Sequence, residues 1–230
     1  MKIIWMGHGS FRIEIEDQVL LIDPWVNGNP MMEGHDQASA LEGATQILVT
    51  HGHFDHTQDI VEISKSTGAP VSAMFELAQH LFGLGASEGH AFNKGGTLSF
   101  GAVKVNMVPA SHSSSIAVDG RGVYMGAEIG YVIRGEGRTI YFSGDTTVMA
   151  DMGWIGEFYQ PDIGILSAGG YYTMDMELAG FAAKKYFDFK TLIPCHYRTF
   201  PALEQSAEVL AAALPGVDVI EPQVLQAIEL

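Results

Sequence analysis

The segment Thr50-His51-Gly52-His53-Phe54-Asp55-His56 constrains this chain more than any other. It follows the short apolar run 46–50, which reads as a buried strand. Side chains at 51, 53 and 55 share one parity, and His56 comes directly after. Just past a strand end the chain is free to curl, so all four can converge. Gly52 permits a tight turn between two of them. Imidazole and carboxylate are borderline ligands suited to zinc, manganese, iron or nickel. The plain alternative is a loop of unrelated surface histidines, and the strand-end position counts against it.

Further candidates stand at equivalent places. His112 follows an expected strand at 103–108 through Pro109-Ala110-Ser111. Asp145 follows a strand at 139–143, with Gly144 permitting close approach. His196 follows a strand at 191–193 through Pro194-Cys195. Each alone would be an ordinary loop residue. Together with the first cluster they make a set of five His and two Asp.

The rest of the chain supplies the frame. Phe11, Ile13 and Ile15 alternate with Arg12, Glu14 and Glu16, which predicts a strand with one buried face. Strands are also predicted at 2–6, 18–23, 71–73, 97–100, 130–134 and 163–166. Helices are predicted at 59–66, 76–84, 176–187 and 202–214. Two mixed sheets packed face to face, with helices outside, satisfy this α/β pattern.

Charge and composition narrow the functions. The 230 residues suit one domain, 1–230, and can enclose a full core. The formal net charge is −15 and the 12 basic residues are scattered, which argues against a nucleic-acid partner. No apolar run reaches the length of a membrane span, and the N-terminal run is too short for a secretory leader. One Cys cannot form an internal disulfide. These features predict a cytoplasmic protein.

Beyond the first cluster, several segments carry a resemblance. They are Met6-Gly7-His8-Gly9-Ser10-Phe11, Leu21-Ile22-Asp23-Pro24, Ala110-Ser111-His112-Ser113-Ser114-Ser115, Gly144-Asp145-Thr146 and His196-Tyr197-Arg198-Thr199-Phe200-Pro201. With the HGHFDH run they resemble the metallo-β-lactamase-fold hydrolases. More narrowly they resemble the UPF0173 metal-dependent hydrolases, a group near the ascorbate-6-phosphate lactonases. The resemblance implies an αββα sandwich with its site at one edge between the sheets. It assigns His51, His53 and His112 to a first metal ion, and Asp55, His56 and His196 to a second, with Asp145 bridging.

The same resemblance implies a chemistry. Two divalent transition-metal ions per chain, zinc or else manganese, iron or nickel, would hold a hydroxide that attacks an ester-like bond. A lactone, thioester or phosphodiester of a small polar metabolite fits, and the substrate can be anionic. An RNA-processing nuclease and an iron-dependent redox enzyme on the same fold are the alternatives. A homo-oligomer is compatible with the resemblance. Asp55 is expected to orient the nucleophile. His8, in a Gly-His-Gly turn, either faces the pocket or is a satisfied structural histidine. Tyr197 and Thr199 offer hydroxyls to substrate or pack the loop. Asp23 and Thr146 are expected to support ligands from behind. His35, His80 and His90 read as structural, and Cys195 as a small buried residue.

Overall fold

Residues 1–230 are all described by a computed structural model. The first part of the chain makes strands β1 (Lys2–Trp5), β2 (Phe11–Ile15), β3 (Gln18–Ile22), β4 (Gln46–Val49), β5 (Val71–Met74) and β6 (Glu88–Phe92). Helices α1 (Gln37–Leu41), α2 (Phe54–Thr57), α3 (Ile60–Thr67) and α4 (Phe75–Gly83) lie between them. The second part makes β7 (Thr97–Phe100), β8 (Val103–Pro109), β9 (Ser115–Val118), β10 (Arg121–Tyr124), β11 (Ile129–Gly135) and β12 (Arg138–Phe142). It continues with α5 (Asp151–Tyr159), β13 (Ile163–Ser167), α6 (Met176–Tyr186), β14 (Thr191–Cys195), α7 (Glu208–Ala213), β15 (Asp218–Val219) and β16 (Ala227–Glu229).

These strands build two seven-stranded mixed sheets, ordered β16-β1-β2-β3-β4-β5-β6 and β15-β14-β13-β12-β11-β8-β7. The αββα expectation is met. The alternation in β2 has its expected result: Phe11, Ile13 and Ile15 are buried, while Arg12 and Glu14 lie at intermediate depth. A large apolar cluster fills the space between the sheets and under α5 to α7. It includes Trp5, Phe11, Tyr131 and Phe142. A smaller one lies under α3 and α4 and includes Ile47, Ile60, Val71 and Leu77. Tyr131 joins the sheets directly, since its hydroxyl donates to the Val49 carbonyl at 2.8 Å.

Strand direction explains why the site forms at one edge. β12, β13 and β14 are parallel, and β3, β4 and β5 are parallel. β8 is antiparallel to β11, which is antiparallel to β12, so β8 and β12 run the same way. The C-terminal ends of β4, β8, β12 and β14 therefore lead into His51, His112, Asp145 and His196. Crevices beyond strand C-termini are where open α/β sheets bind ligands.

Several expectations need correcting. The segment 202–214 is helical only over Glu208–Ala213. Before it, the backbone N–H of Arg198 donates to the Glu204 carbonyl and the Glu204 N–H to the Gly169 carbonyl. Tertiary partners take the groups that a longer helix would have used. Helix α5 lies outside the predicted helices, because Gly153 and Gly156 lower its helix propensity. Gly156 stands against the Tyr186 carbonyl, where a side chain would not fit. The β9–β10 hairpin also lies outside the predicted strands. It forms a separate two-stranded sheet, closed by Asp119 and Gly120 at positive φ.

Candidate metal centre

The site assembles from loops that carry their own strain. His8, Asp23 and His196 have φ of 53°, 47° and 58°. Non-glycine residues held there are uncommon and persist where surroundings over-determine them. Here the ties are visible. The His196 N–H donates to the His8 carbonyl at 2.9 Å, and Trp5 Nε1 donates to the same oxygen at 2.8 Å. The backbone carbonyl of Asp23 accepts from Ser10 Oγ at 2.7 Å.

Two donor groups face each other. In one, single ligand atoms of His51, His53 and His112 lie within 4.8 Å of one another. In the other, His8, Asp55, His56 and His196 do the same. Asp145 stands between them. Its Oδ2 is 3.0 Å from His196 Nε2, 3.5 Å from His56 Nε2, 3.6 Å from His112 Nε2 and 3.9 Å from His51 Nε2. Asp55 Oδ2 is 3.4 Å from His56 Nε2 and 3.5 Å from His196 Nε2. All seven residues singled out in the sequence are brought together.

Groups behind the cluster set which ring nitrogens face inward. Asp23 accepts from Thr50 N at 2.7 Å, Thr50 Oγ1 at 2.5 Å and His56 Nδ1 at 2.8 Å. Because the Thr50 hydroxyl donates to Asp23, it accepts from His51 Nδ1 at 3.0 Å. His51 and His56 thus each carry a proton on Nδ1 and turn Nε2 inward, the usual orientation behind a ligating histidine. His53 Nε2 meets Ser113 Oγ at 3.1 Å, which leaves its Nδ1 facing His51 Nε2 at 3.0 Å. Thr146 acts less directly than expected. Its hydroxyl accepts from Ser111 N at 3.0 Å and so fixes the loop that carries His112.

The charges are matched to a cation. Burial pushes His51, His53 and His112 below the ordinary imidazole range, so they are neutral. Burial opposes ionisation of Asp145, yet His196 and His56 hold it well below the usual carboxylate range. Asp55 is held low in the same way, with His56 and His196 outweighing its burial. Burial also opposes charge on His196 and His56. The carboxylates prevail, raising His196 to about 9 and His56 well above its ordinary value. The two carboxylates therefore demand positive charge at the positions a divalent ion would fill. His56 Nε2 is buried with no hydrogen-bond partner, as expected of a ligand atom. Imidazole and carboxylate donors aimed at common points fit a divalent transition metal.

A beta-lactamase superfamily domain model matches residues 18–219. A UPF0173 metal-dependent hydrolase of Cereibacter sphaeroides is 58% identical over 230 residues, covering 100% of both chains. The chain belongs to the UPF0173 metal-dependent hydrolases. Among solved structures, the metallo hydrolase Igni18 of Ignicoccus hospitalis is 31% identical with a TM-score of 0.84, covering 100% of this chain and 98% of that one. A putative metal-dependent hydrolase of Parabacteroides distasonis is 25% identical with a TM-score of 0.70, covering 96% and 92%. This UPF0173 chain is thus a metal-dependent hydrolase with a His/Asp cluster able to bind metal. No helix is long and apolar enough to cross a membrane.

The neighbouring candidates divide. His8 lines the cleft, with Nε2 2.8 Å from Asp55 Oδ2 and Nδ1 2.9 Å from Thr199 Oγ1. Burial and the adjacent His196 lower His8 to about 4, so it is neutral and donates Nε2–H to Asp55. Thr199 is a buried support for that ring. Tyr197 requires a correction. Its ring is fully buried and stacks on Trp5 at 5.5 Å, and it does not line the cleft. Burial pushes its phenol up to about 12. Its neighbour His196 turns inward at positive φ, which sends Tyr197 into the core. The cleft contains Tyr172 and Phe200 instead. His80, expected to be structural, also lines it. Cys195 is buried and unpaired, as expected.

Gly9, marked in the sequence only as one side of the Gly-His-Gly turn, packs against the site. A Cβ there would stand 2.8 Å from His56 Cε1. Gly9→Ala should tilt His56 off Asp23 and weaken metal binding by about 10–100-fold, the usual cost of disturbing a ligand's support. A competitive metal titration against a chromogenic chelator checks this. Unchanged affinity would show that His56 is not held by that contact.

Proposed function

We propose that this chain holds two divalent transition-metal ions, zinc by preference, and hydrolyses an ester or lactone bond of a small molecule. The reading is carried by one observation: two donor groups face each other across a single carboxylate oxygen, Asp145 Oδ2. His51, His53 and His112 would hold one ion, and Asp55, His56 and His196 the other, with Asp145 shared. Bound divalent ions supply an acidified water and a Lewis acid for the carbonyl oxygen. The net reaction breaks the acyl–oxygen bond; water gives its OH to the acyl carbon and its proton to the leaving oxygen.

The chain's own groups do the positioning. His8 donates Nε2–H to Asp55 Oδ2, and Thr199 fixes the other face of the His8 ring. Asp55 is therefore held to orient the attacking water, with His8 as its positioning residue. Phe54 and Phe200 line the cleft. No Lys or Arg lines the cleft, which suits neither a long polyanion nor an RNA substrate. The one cysteine is buried and unpaired, so the fold rests on no disulfide and suits the reducing cytoplasm.

Two measurements test this reading. Metal analysis of purified protein should find close to two transition-metal ions per chain. The loaded enzyme should cleave members of a panel of esters and lactones, with thioesters and phosphodiesters as comparison. A stoichiometry of one, or turnover confined to phosphodiesters, would refute it. Chelation should also lower the melting temperature. An ion present at about a thousandfold above its dissociation constant stabilises the fold by about 4 kcal/mol. At this chain length that corresponds to a drop of roughly 8–16 °C on stripping, restored by zinc.

A further inference from the structure

The cleft that opens on the metal cluster has a volume of about 840 Å³, within the range of small-molecule sites and larger than a short acyl group needs. Its lining is of two kinds. One is the His/Asp cluster. The other is formed by Val61 of α3, Leu81 and Leu84 at the end of α4, and Ile116 and Ala117 of the hairpin strand β9, with His80 of α4 as the polar group beside them. Phe54, next to Asp55 in sequence, lines the cleft and is 62% exposed, and Leu84 is 55% exposed. These are apolar side chains left open to the cavity. No Lys or Arg lines the cleft to pair with an anionic group away from the cluster. Lys65 Nζ is engaged on the Leu84 carbonyl oxygen at 3.2 Å and does not line the cleft. The hairpin wall is rooted in the metal loop, since Gly52 N donates to Ser114 Oγ at 3.1 Å. The apolar wall and the cluster are therefore held in fixed relation.

We propose that the substrate is an uncharged acyl compound carrying an apolar chain, with the chain lying between α4 and the β9–β10 hairpin and the carbonyl at the His/Asp cluster. This rests on the hydrolytic reading above and replaces the small polar or anionic metabolite expected from the sequence. An apolar chain covers Val61, Leu84 and Ile116 and removes their surface from water. A phosphate or carboxylate in the same place would lose its hydration with no Lys or Arg in return.

The test uses metal-loaded protein and two probe series. The first is the straight-chain ketones 2-pentanone to 2-nonanone, which cannot be hydrolysed, with binding read by titration calorimetry. The second is the p-nitrophenyl esters from acetate to octanoate, read by kcat/KM. Affinity and kcat/KM should each rise about three- to fourfold per methylene until the wall is covered. A ketone of equal length ending in a carboxylate should bind at least about tenfold more weakly. Leu84→Glu and Ile116→Glu change opposite walls at partly exposed positions, so two independent variants guard against misfolding. Each should flatten the dependence on chain length. If the ketones follow this slope but no ester is cleaved, the apolar subsite stands and the hydrolytic reading fails. If esters are cleaved with no dependence on length, or the carboxylate-ended ketone binds as well as the neutral one, the subsite assignment is overturned and the hydrolytic reading survives.

Discussion

Alanine at Asp145 is expected to take metal content from about two ions per chain to below one and hydrolysis down by at least about 10³-fold. The reason is geometric. Asp145 Oδ2 is the carboxylate oxygen that faces His196, His56, His112 and His51 together. Without it neither donor group has a shared anion, and the buried imidazoles face one another with too little negative charge to attract divalent ions. The fold should survive, because Asp145 lies beyond the end of β12 and belongs to neither apolar cluster. Circular dichroism at room temperature should match the parent chain. Asp145→Asn keeps the shape and removes the charge, so it should behave like alanine. A variant that kept both ions and the parent rate would refute the shared-ligand assignment.

The second large effect is on stability. Asp23 is fully buried and accepts three hydrogen bonds, two from Thr50 and one from His56. Asp23→Ala strands all three donors in the interior. Breaking a buried charged pair by removing one partner costs about 3–5 kcal/mol. The melting temperature of the metal-free protein should fall by roughly 6–20 °C. Asp23→Asn should recover only part of this. An amide offers one acceptor atom and two donor hydrogens, so at least one of the three donors would meet an N–H. Metal affinity should fall in both variants, since His56 loses the partner that fixes its proton on Nδ1. Calorimetry of chelated protein separates the stability effect from the loss of metal. A metal-free melting temperature within about 2 °C of the parent would show that Asp23 does not carry this load.

The candidate ligand set is legible in the sequence because it obeys local rules. His51, His53, Asp55 and His56 sit in one strand-end turn, and His112, Asp145 and His196 each follow an apolar strand within a few residues. Other features depend on which strands become neighbours. His8 meets Asp55 across 47 positions of sequence and Thr199 across 191. No local pattern reports such distances. Asp23 reads as a support from its place at a strand end, and the structure gives it both Thr50 and His56. Tyr197 misleads because it adjoins a candidate ligand. Backbone conformation at His196, not adjacency, decides which way the next side chain points. The β9–β10 hairpin carries an Asp-Gly turn signal at 119–120. Its strands are hard to recognise because they are largely exposed and lack the one-sided alternation of β2.

The first and last strands of the chain are neighbours. β16 pairs with β1 through Lys2–Glu229, Ile3–Ile228 and Ile4–Ala227. Without residues 227–229, β1 would become a bare sheet margin, a template for strands of other molecules. That margin leads within three residues from Trp5 to His8, whose ring steadies Asp55. Trimming the last few residues would therefore threaten solubility first and the order of the His8 turn second, although none of the removed atoms lines the cleft. Through β1, β16 should thus bear on a candidate metal centre that it does not touch.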